Sequence, residues 1–335
     1  MLGRSKNTLV SGYDALFLDL DGVIYRGPHA VPHAVEALTQ CDIPLGYLTN
    51  NASRTPQAVA QQIATYGLPA TADDVVTSPQ AAVKMLRGMI PAGSLVLVVG
   101  GEGLTSEVEA AGFSITRSAE DKPAAVIQGF SPEVGWAELA EASFALQRDE
   151  SVVWVATNTD WTIPIERGVA PGNGALVSAV HLAVGRLATF AGKPEKALFD
   201  VAIERFSHAK RPLMIGDRLD TDIKGANRAG IDSAIVLTGI DQAKQILAAA
   251  EDEQPTYILE DLRDLHRPYP EVIRSVDKDG VSTVEVGKAV VRRKDHVIRI
   301  ARHGSRLDTL RAGAAIIYDS GLKIFGLDVE PGIYS

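Results

Sequence analysis

The chain has 335 residues, a formal net charge of -9 and a single cysteine, Cys41. That balance argues against a nucleic-acid or membrane-surface binder, which calls for a basic stripe, and one thiol excludes an internal disulfide framework and fits a reducing cytoplasm. No uncharged apolar run of about eighteen residues marks a transmembrane helix, the N-terminal MLGRSKNTLVSGYD lacks the apolar run of a signal peptide, and the length predicts about two or three domains.

In chain order, short runs rich in Val, Ile and Leu predict strands at 15–20, 44–49, 94–99, 124–129, 152–156, 212–215 and 234–237. Helical patterns at 31–39, 55–66, 79–89 and 195–206 alternate with them. The second is well signalled, with Ser53 or Thr55 to cap it, Pro56 in its first turn and Gly67 after its end. Continuous apolar strands alternating with helices predict a mostly parallel sheet covered on both faces, the α/β class. After about Leu265 the alternation stops, and RPYPEV reads as a linker. The tail beyond it predicts a hairpin from VSTVEVGKAVVRR and DHVIRIARH, a helix at 306–320 and a last short strand.

In a parallel sheet ligands bind at the carboxyl ends of strands, and four such ends carry unusual polar residues. Asp19 and Asp21 end the first strand, and Thr49, Asn50 and Asn51 the second. Gly192, Lys193 and Pro194 open the helix pattern at 195, and Asp217 ends PLMIG ahead of Asp220, Thr221 and Asp222. Two carboxylates two residues apart at the end of a buried strand repel each other and need a cationic partner. Hard oxygen ligands of this kind suit Mg²⁺. Taken singly, each of these aspartates reads more readily as a turn former or helix cap.

Taken together, DLDGVIY at 19–25, LTNN at 48–51, GKP at 192–194 and GDRLDTDI at 216–223 resemble the haloacid dehalogenase superfamily of phosphohydrolases. The details TNNASRTP, DVVTSPQAAV, ATNTDWTIP and PGNGALVSAV are similar to its subgroup of 4-nitrophenylphosphatase-like, phosphoglycolate and glycerol-3-phosphate phosphatases. The resemblance covers about residues 13–265. It implies a Rossmann-like parallel-sheet core at 10–81 and 187–268, a large inserted α/β cap of the C2 type at 82–186, and a small α+β C-terminal extension at 271–335 outside the family pattern.

The resemblance also implies a Mg²⁺-dependent phosphatase of small phosphate monoesters, working through an aspartyl-phosphate. Asp19 would be the nucleophile and Asp21 the general acid and base. The metal would be held by the Asp19 carboxylate, the Asp21 backbone carbonyl and Asp217, with Asp222 orienting a metal-bound water or Lys193. Lys193, the Thr49 hydroxyl and the Asn50 backbone N–H would meet the phosphoryl oxygens. Asn158, Asp160 and Trp161 of the cap would contact the leaving group, such as the glycerol of glycerol 3-phosphate, the leading substrate together with 2-phosphoglycolate; the same residues read equally as cap core and turn. The alternatives are a phosphotransferase or mutase of the superfamily and a non-catalytic sugar-phosphate-binding regulator. The expected partner is a small phosphorylated metabolite, with no nucleic acid and no membrane, and a homo-oligomer is compatible with the sequence.

Other features read as structural. VGGEGLTS at 99–106 resembles a dinucleotide fingerprint but has Ser106 where the third glycine belongs, so a tight turn is expected. PGNGALVSAV reads as a glycine-eased helix start on the return from the cap. His29 and His33 lack the Glu of a zinc motif, and Cys41 has no histidine motif around it.

Overall fold

The computed structural model describes residues 8–165 and 167–335; the first half of the basic N-terminal stretch, 1–7, lies outside them. The chain divides into two compact units, Met1–Pro44 with Lys210–Ser335, and Leu45–Ala209. Among the described residues no helix is long and apolar enough to cross a membrane.

The first unit carries four parallel strands in the order Tyr257–Leu259, Asp232–Val236, Pro212–Gly216, Ala15–Leu18. Every residue of Ala15–Leu18 and of Pro212–Gly216 is buried, which is why both read as unbroken apolar runs. The first strand stops two residues short of expectation. The Leu20 carbonyl accepts from the Ile24 N–H at 2.8 Å and the Tyr25 N–H at 3.1 Å, turning the chain into a small hairpin of Tyr25–Arg26 and His29–Ala30. The helix expected from Val31 begins only at Ala34, because Pro32 and His33, the latter at φ 66°, complete that turn first.

The tail is a larger sheet than its sequence pattern suggests. Its strands run in the order Val272–Val276, Ser282–Val286, Ala289–Lys294, Val297–Arg302, Asp328–Val329, the first four antiparallel and the last parallel. The helix Arg306–Tyr318 packs on it, capped by Ser305, whose Oγ accepts from the Asp308 N–H at 3.0 Å. Val284, Val291, Ile298, Leu310 and Ile317 of the tail share one hydrophobic cluster with Ile235 and Ile258 of the parallel sheet and with Leu219, Ile223 and Ile246 of the helical segments beside it. The tail thus completes the core of this unit.

The second unit contains a five-stranded parallel sheet in the order Thr189–Phe190, Val153–Ala156, Ala125–Gln128, Leu95–Val99, Ser114–Thr116. The helices Trp136–Arg148 and Asn173–Val184 pack on it through Ala142, Leu146, Val177 and Val180. An antiparallel hairpin, Thr162–Ile165 with Gly168–Pro171, projects from the chain after Trp161. In the same unit Leu45–Thr49 pairs in parallel with Val75–Thr77. The helix Pro56–Thr65 follows its sequence signal, with the Thr55 hydroxyl accepting from the Ala58 N–H at 3.2 Å and Pro56 in its first turn.

Candidate active site

Asp19 is the first residue past the strand Ala15–Leu18, and its N–H still donates to the Ile215 carbonyl at 2.9 Å. It is half-buried, while Asp21, two residues on, is exposed. Gly22 sits between them and the hairpin at φ 80°, and a Cβ there would lie 2.3 Å from Asp217 Oδ2. Only glycine permits both the left-handed turn and that approach.

Asp217 leaves the strand Pro212–Gly216 and is 2 % exposed. Its Oδ2 accepts from the Ile240 N–H at 2.8 Å. The following turn, Leu219–Ile223, brings back Asp222, 1 % exposed, whose Oδ2 accepts from the N–H groups of Asp217 at 3.2 Å and Arg218 at 3.1 Å. Carboxylate oxygens of Asp19, Asp217 and Asp222 lie within 4.8 Å of one another. The Asp21 carboxylate is not part of that group.

Three carboxylates so close, two of them almost fully buried, repel strongly without a cation among them. All the donors are hard oxygens, the set that Mg²⁺ takes, with room left for waters and substrate. The site therefore fits Mg²⁺, which Asp19 and Asp217 would hold with Asp222 at hand.

The remaining expected residues lie in the second unit. Lys193 is 3 % exposed, and its Nζ donates to the Leu48 carbonyl at 3.2 Å. The Asn50 side chain brackets the Lys193 backbone: Oδ1 accepts from its N–H at 2.8 Å and Nδ2 donates to its carbonyl at 3.0 Å. Asn50 Nδ2 also donates to Asp160 Oδ1 at 3.1 Å, and the Asn50 carbonyl accepts from Ser78 Oγ and Asn158 Nδ2, both at 2.8 Å. Asn158 and Asp160 thus brace Asn50, whereas Trp161 is 65 % exposed beside the hairpin. The Thr49 hydroxyl accepts from the Asn51 N–H at 3.1 Å. Asn51 folds its side chain onto the N–H groups of Ser53 and Arg54, an ordinary Asx turn.

Two groups were not evident from sequence. Ser78 is one. The other is the loop after the strand Asp232–Val236: Ile240 holds Asp217, the Thr238 hydroxyl donates to the Gly22 carbonyl at 2.7 Å, and Asp241 Oδ2 accepts from the Leu219 N–H at 2.7 Å. A Cβ on Gly239 would lie 1.9 Å from that of Asp217. This loop also follows a parallel strand, so its Thr-Gly pair was the available signal.

Comparison with known proteins gives the family. A family model described as haloacid dehalogenase-like hydrolase matches residues 16–114, and a second, HAD-hydrolase-like, matches 190–265. The D-glycerol 3-phosphate phosphatase of Mycobacterium tuberculosis is 44% identical over 260 residues, 78% of this chain and 73% of that one. A crystal structure of a glycerol phosphate phosphatase from M. tuberculosis with magnesium superposes with a TM-score of 0.85 at 37% identity, covering 97% of this chain and 94% of that one. A thermostable NPPase from Geobacillus stearothermophilus superposes at 0.68 and 32% identity over 97% of its length but 75% of this chain. The chain accordingly belongs to the haloacid dehalogenase-like hydrolases and is a phosphatase.

Proposed function

We propose that the chain is a Mg²⁺-dependent phosphatase whose substrate is glycerol 3-phosphate, with 2-phosphoglycolate as the rival ester. The observation that carries the reaction is the group of half-buried Asp19 with buried Asp217 and Asp222, beside an exposed Asp21. Support for the substrate comes from relatives in a mycobacterium and in Gallus gallus that bear the name glycerol-3-phosphate phosphatase. The metal, when bound, would screen the charge of the phosphate dianion.

Asp19 Oδ forms a bond to phosphorus as the ester oxygen leaves, giving an aspartyl-phosphate. Asp21 gives its proton to the departing alkoxide. Its carboxylate then takes a proton from water, whose oxygen attacks phosphorus and frees both phosphate and Asp19. An exposed Asp21 outside the carboxylate group suits this task, and its backbone carbonyl would help hold the metal. Lys193 and the Thr49 hydroxyl neutralise and orient the phosphoryl oxygens, with the Asn50 N–H as a third donor. Asp222, which accepts from the Asp217 N–H, would orient Asp217 toward the metal. The segment 82–186 is assigned as the inserted cap domain and 10–81 with 187–268 as the core domain, and Trp161, Asn158 and Asp160 as the residues that meet the leaving group. The acidic net charge and the lone thiol support a cytoplasmic enzyme whose partner is the metabolite, without nucleic acid or membrane.

Phosphate release tests this directly, with glycerol 3-phosphate and 2-phosphoglycolate assayed in Mg²⁺ and in EDTA. Turnover of glycerol 3-phosphate is expected in Mg²⁺, lost in EDTA and reduced about a thousandfold or more in Asp19→Asn. Full activity in that variant, or no turnover of either ester, would overturn the reading.

A further inference from the structure

The first unit holds a second concavity that the chemistry above does not use. A cavity of about 1100 Å³ opens between the tail and the loop that follows the strand Asp232–Val236. One wall is that loop, including Thr238 and Gln242, with Lys244 of the short helix Ala243–Leu247 that follows it, and the other is the first turn of the helix Arg306–Tyr318, with Tyr334 nearby. This is ample for a ligand well beyond a three-carbon ester, since sites for drug-sized molecules run to roughly 1,000 Å³.

The charges lining it sort into satisfied and unsatisfied groups. Asp261 is paired with Arg263 at 2.6 Å, Asp264 with Arg267 at 3.0 Å, and Asp308 with Arg311 at 3.2 Å. Among the described residues Lys244 and Arg306 have no carboxylate partner; Lys244 lies over the Tyr334 ring, 5.4 Å from its centre. Among those same residues Glu260 is the one lining acid without an ion pair. Two cations without a carboxylate partner, beside the first turn of a helix, favour an anion, and the rings and prolines of the same walls favour an apolar portion on it.

We propose that this cavity is an effector site for an organic phosphate of nucleotide size. Its phosphate is held by Lys244, Arg306 and the first turn of the helix Arg306–Tyr318, and its ring lies against Pro268, Leu307 and Tyr334. The loop forming one wall also holds the carboxylate group. Gln242 Nε2 donates to the Gly239 carbonyl at 2.8 Å, Ile240 N–H to Asp217 at 2.8 Å, and the Thr238 hydroxyl to Gly22 at 2.7 Å. A ligand pressing on Thr238 and Gln242 therefore favours one position of Asp217 over others, and with it one affinity for metal. The effect on turnover rests on Asp217 as a metal ligand, whereas binding itself does not.

Titration calorimetry with AMP on the intact enzyme in EDTA is expected to show one site. Affinity should fall about tenfold or more in the double variant Lys244→Ala/Arg306→Ala, which removes two charge-assisted contacts, and stay unchanged in Asp19→Asn. With Mg²⁺ restored and p-nitrophenol release from p-nitrophenyl phosphate as readout, AMP should shift the Mg²⁺ concentration for half-maximal rate in the wild type only. No heat with millimolar AMP overturns the site, as does binding that the double variant keeps and Asp19→Asn loses. Binding at the site without any shift in the Mg²⁺ requirement overturns the effector role.

Discussion

The Arg311 guanidinium donates from Nε to the Ile258 carbonyl at 2.9 Å, tying the tail helix to the last strand of the parallel sheet. Its planar face lies 4.4 Å from the centre of the Tyr269 ring, and its terminal nitrogens reach Asp308 at 3.2 Å and Asp264 at 3.7 Å. Both Arg311 and Asp264 are buried.

Removing one partner of a buried ionic group leaves the other charge uncompensated. Arg311→Ala is expected to cost about 3 kcal/mol, less than the full penalty for Asp264 because Arg267 still pairs with it. The denaturant midpoint of the variant measures this. Truncation after residue 268 should do more, because it strips Ile246, Leu247 and Ile258 of their cover. That fragment is expected to be insoluble or to bind ANS; a soluble, cooperatively folding fragment would refute the shared core.

Gly239→Ala places a methyl group where Asp217 stands. The expected result is a rise of about tenfold or more in the Mg²⁺ concentration for half-maximal rate, from displacement of one carboxylate ligand. Far-ultraviolet circular dichroism should remain that of the wild type. An unchanged Mg²⁺ requirement would show that Asp217 reaches its place without the glycine.

Asn50→Ala deprives both the N–H and the carbonyl of Lys193 of their partner. Each buried group left without a hydrogen bond costs about 1–3 kcal/mol. We expect a lower melting temperature together with a fall in kcat of about tenfold or more, as the lysine loses its fixed position. Asn50→Asp keeps the acceptor but loses the donor, and should fall between the two.

Burial, and then the negative charge of Asp42, push the Cys41 thiol up to about 11. At pH 8 a group with that pKa is about one part in a thousand thiolate, the reactive form. Labelling by a disulfide reagent should therefore be about a hundredfold slower in the native enzyme than in urea, and should accelerate as pH rises toward 11. Equal rates would place Cys41 in the open.

The carboxylates at the ends of Ala15–Leu18 and Pro212–Gly216 were legible because an apolar run that ends in Asp sets a charge at the edge of a buried strand, where it needs a partner. Lys193 and Thr49 became legible only beside them, through the order of the motifs. The loop at Thr238–Asp241 was not, since its partners Gly22, Asp217 and Leu219 lie far from it in sequence. Asn158 shows the same limit: its amide serves the Asn50 carbonyl, a partner distant in sequence. The tail strand Val272–Val276 was hidden because four of its five residues are exposed, so it carries no buried alternation to read.

The two units differ in when the ribosome can finish them. Leu45–Ala209 is one continuous segment, and every residue it needs has been made before Lys210 is added. The first unit joins the opening of the chain to its close: Asp19 waits for Asp217 and Asp222, and the core beneath them waits for Ile317 and Ile333. Domains fold as units during synthesis, the earlier ones first. A polypeptide released early would carry a finished middle and scattered carboxylates, so metal capture and catalysis belong to the completed molecule alone.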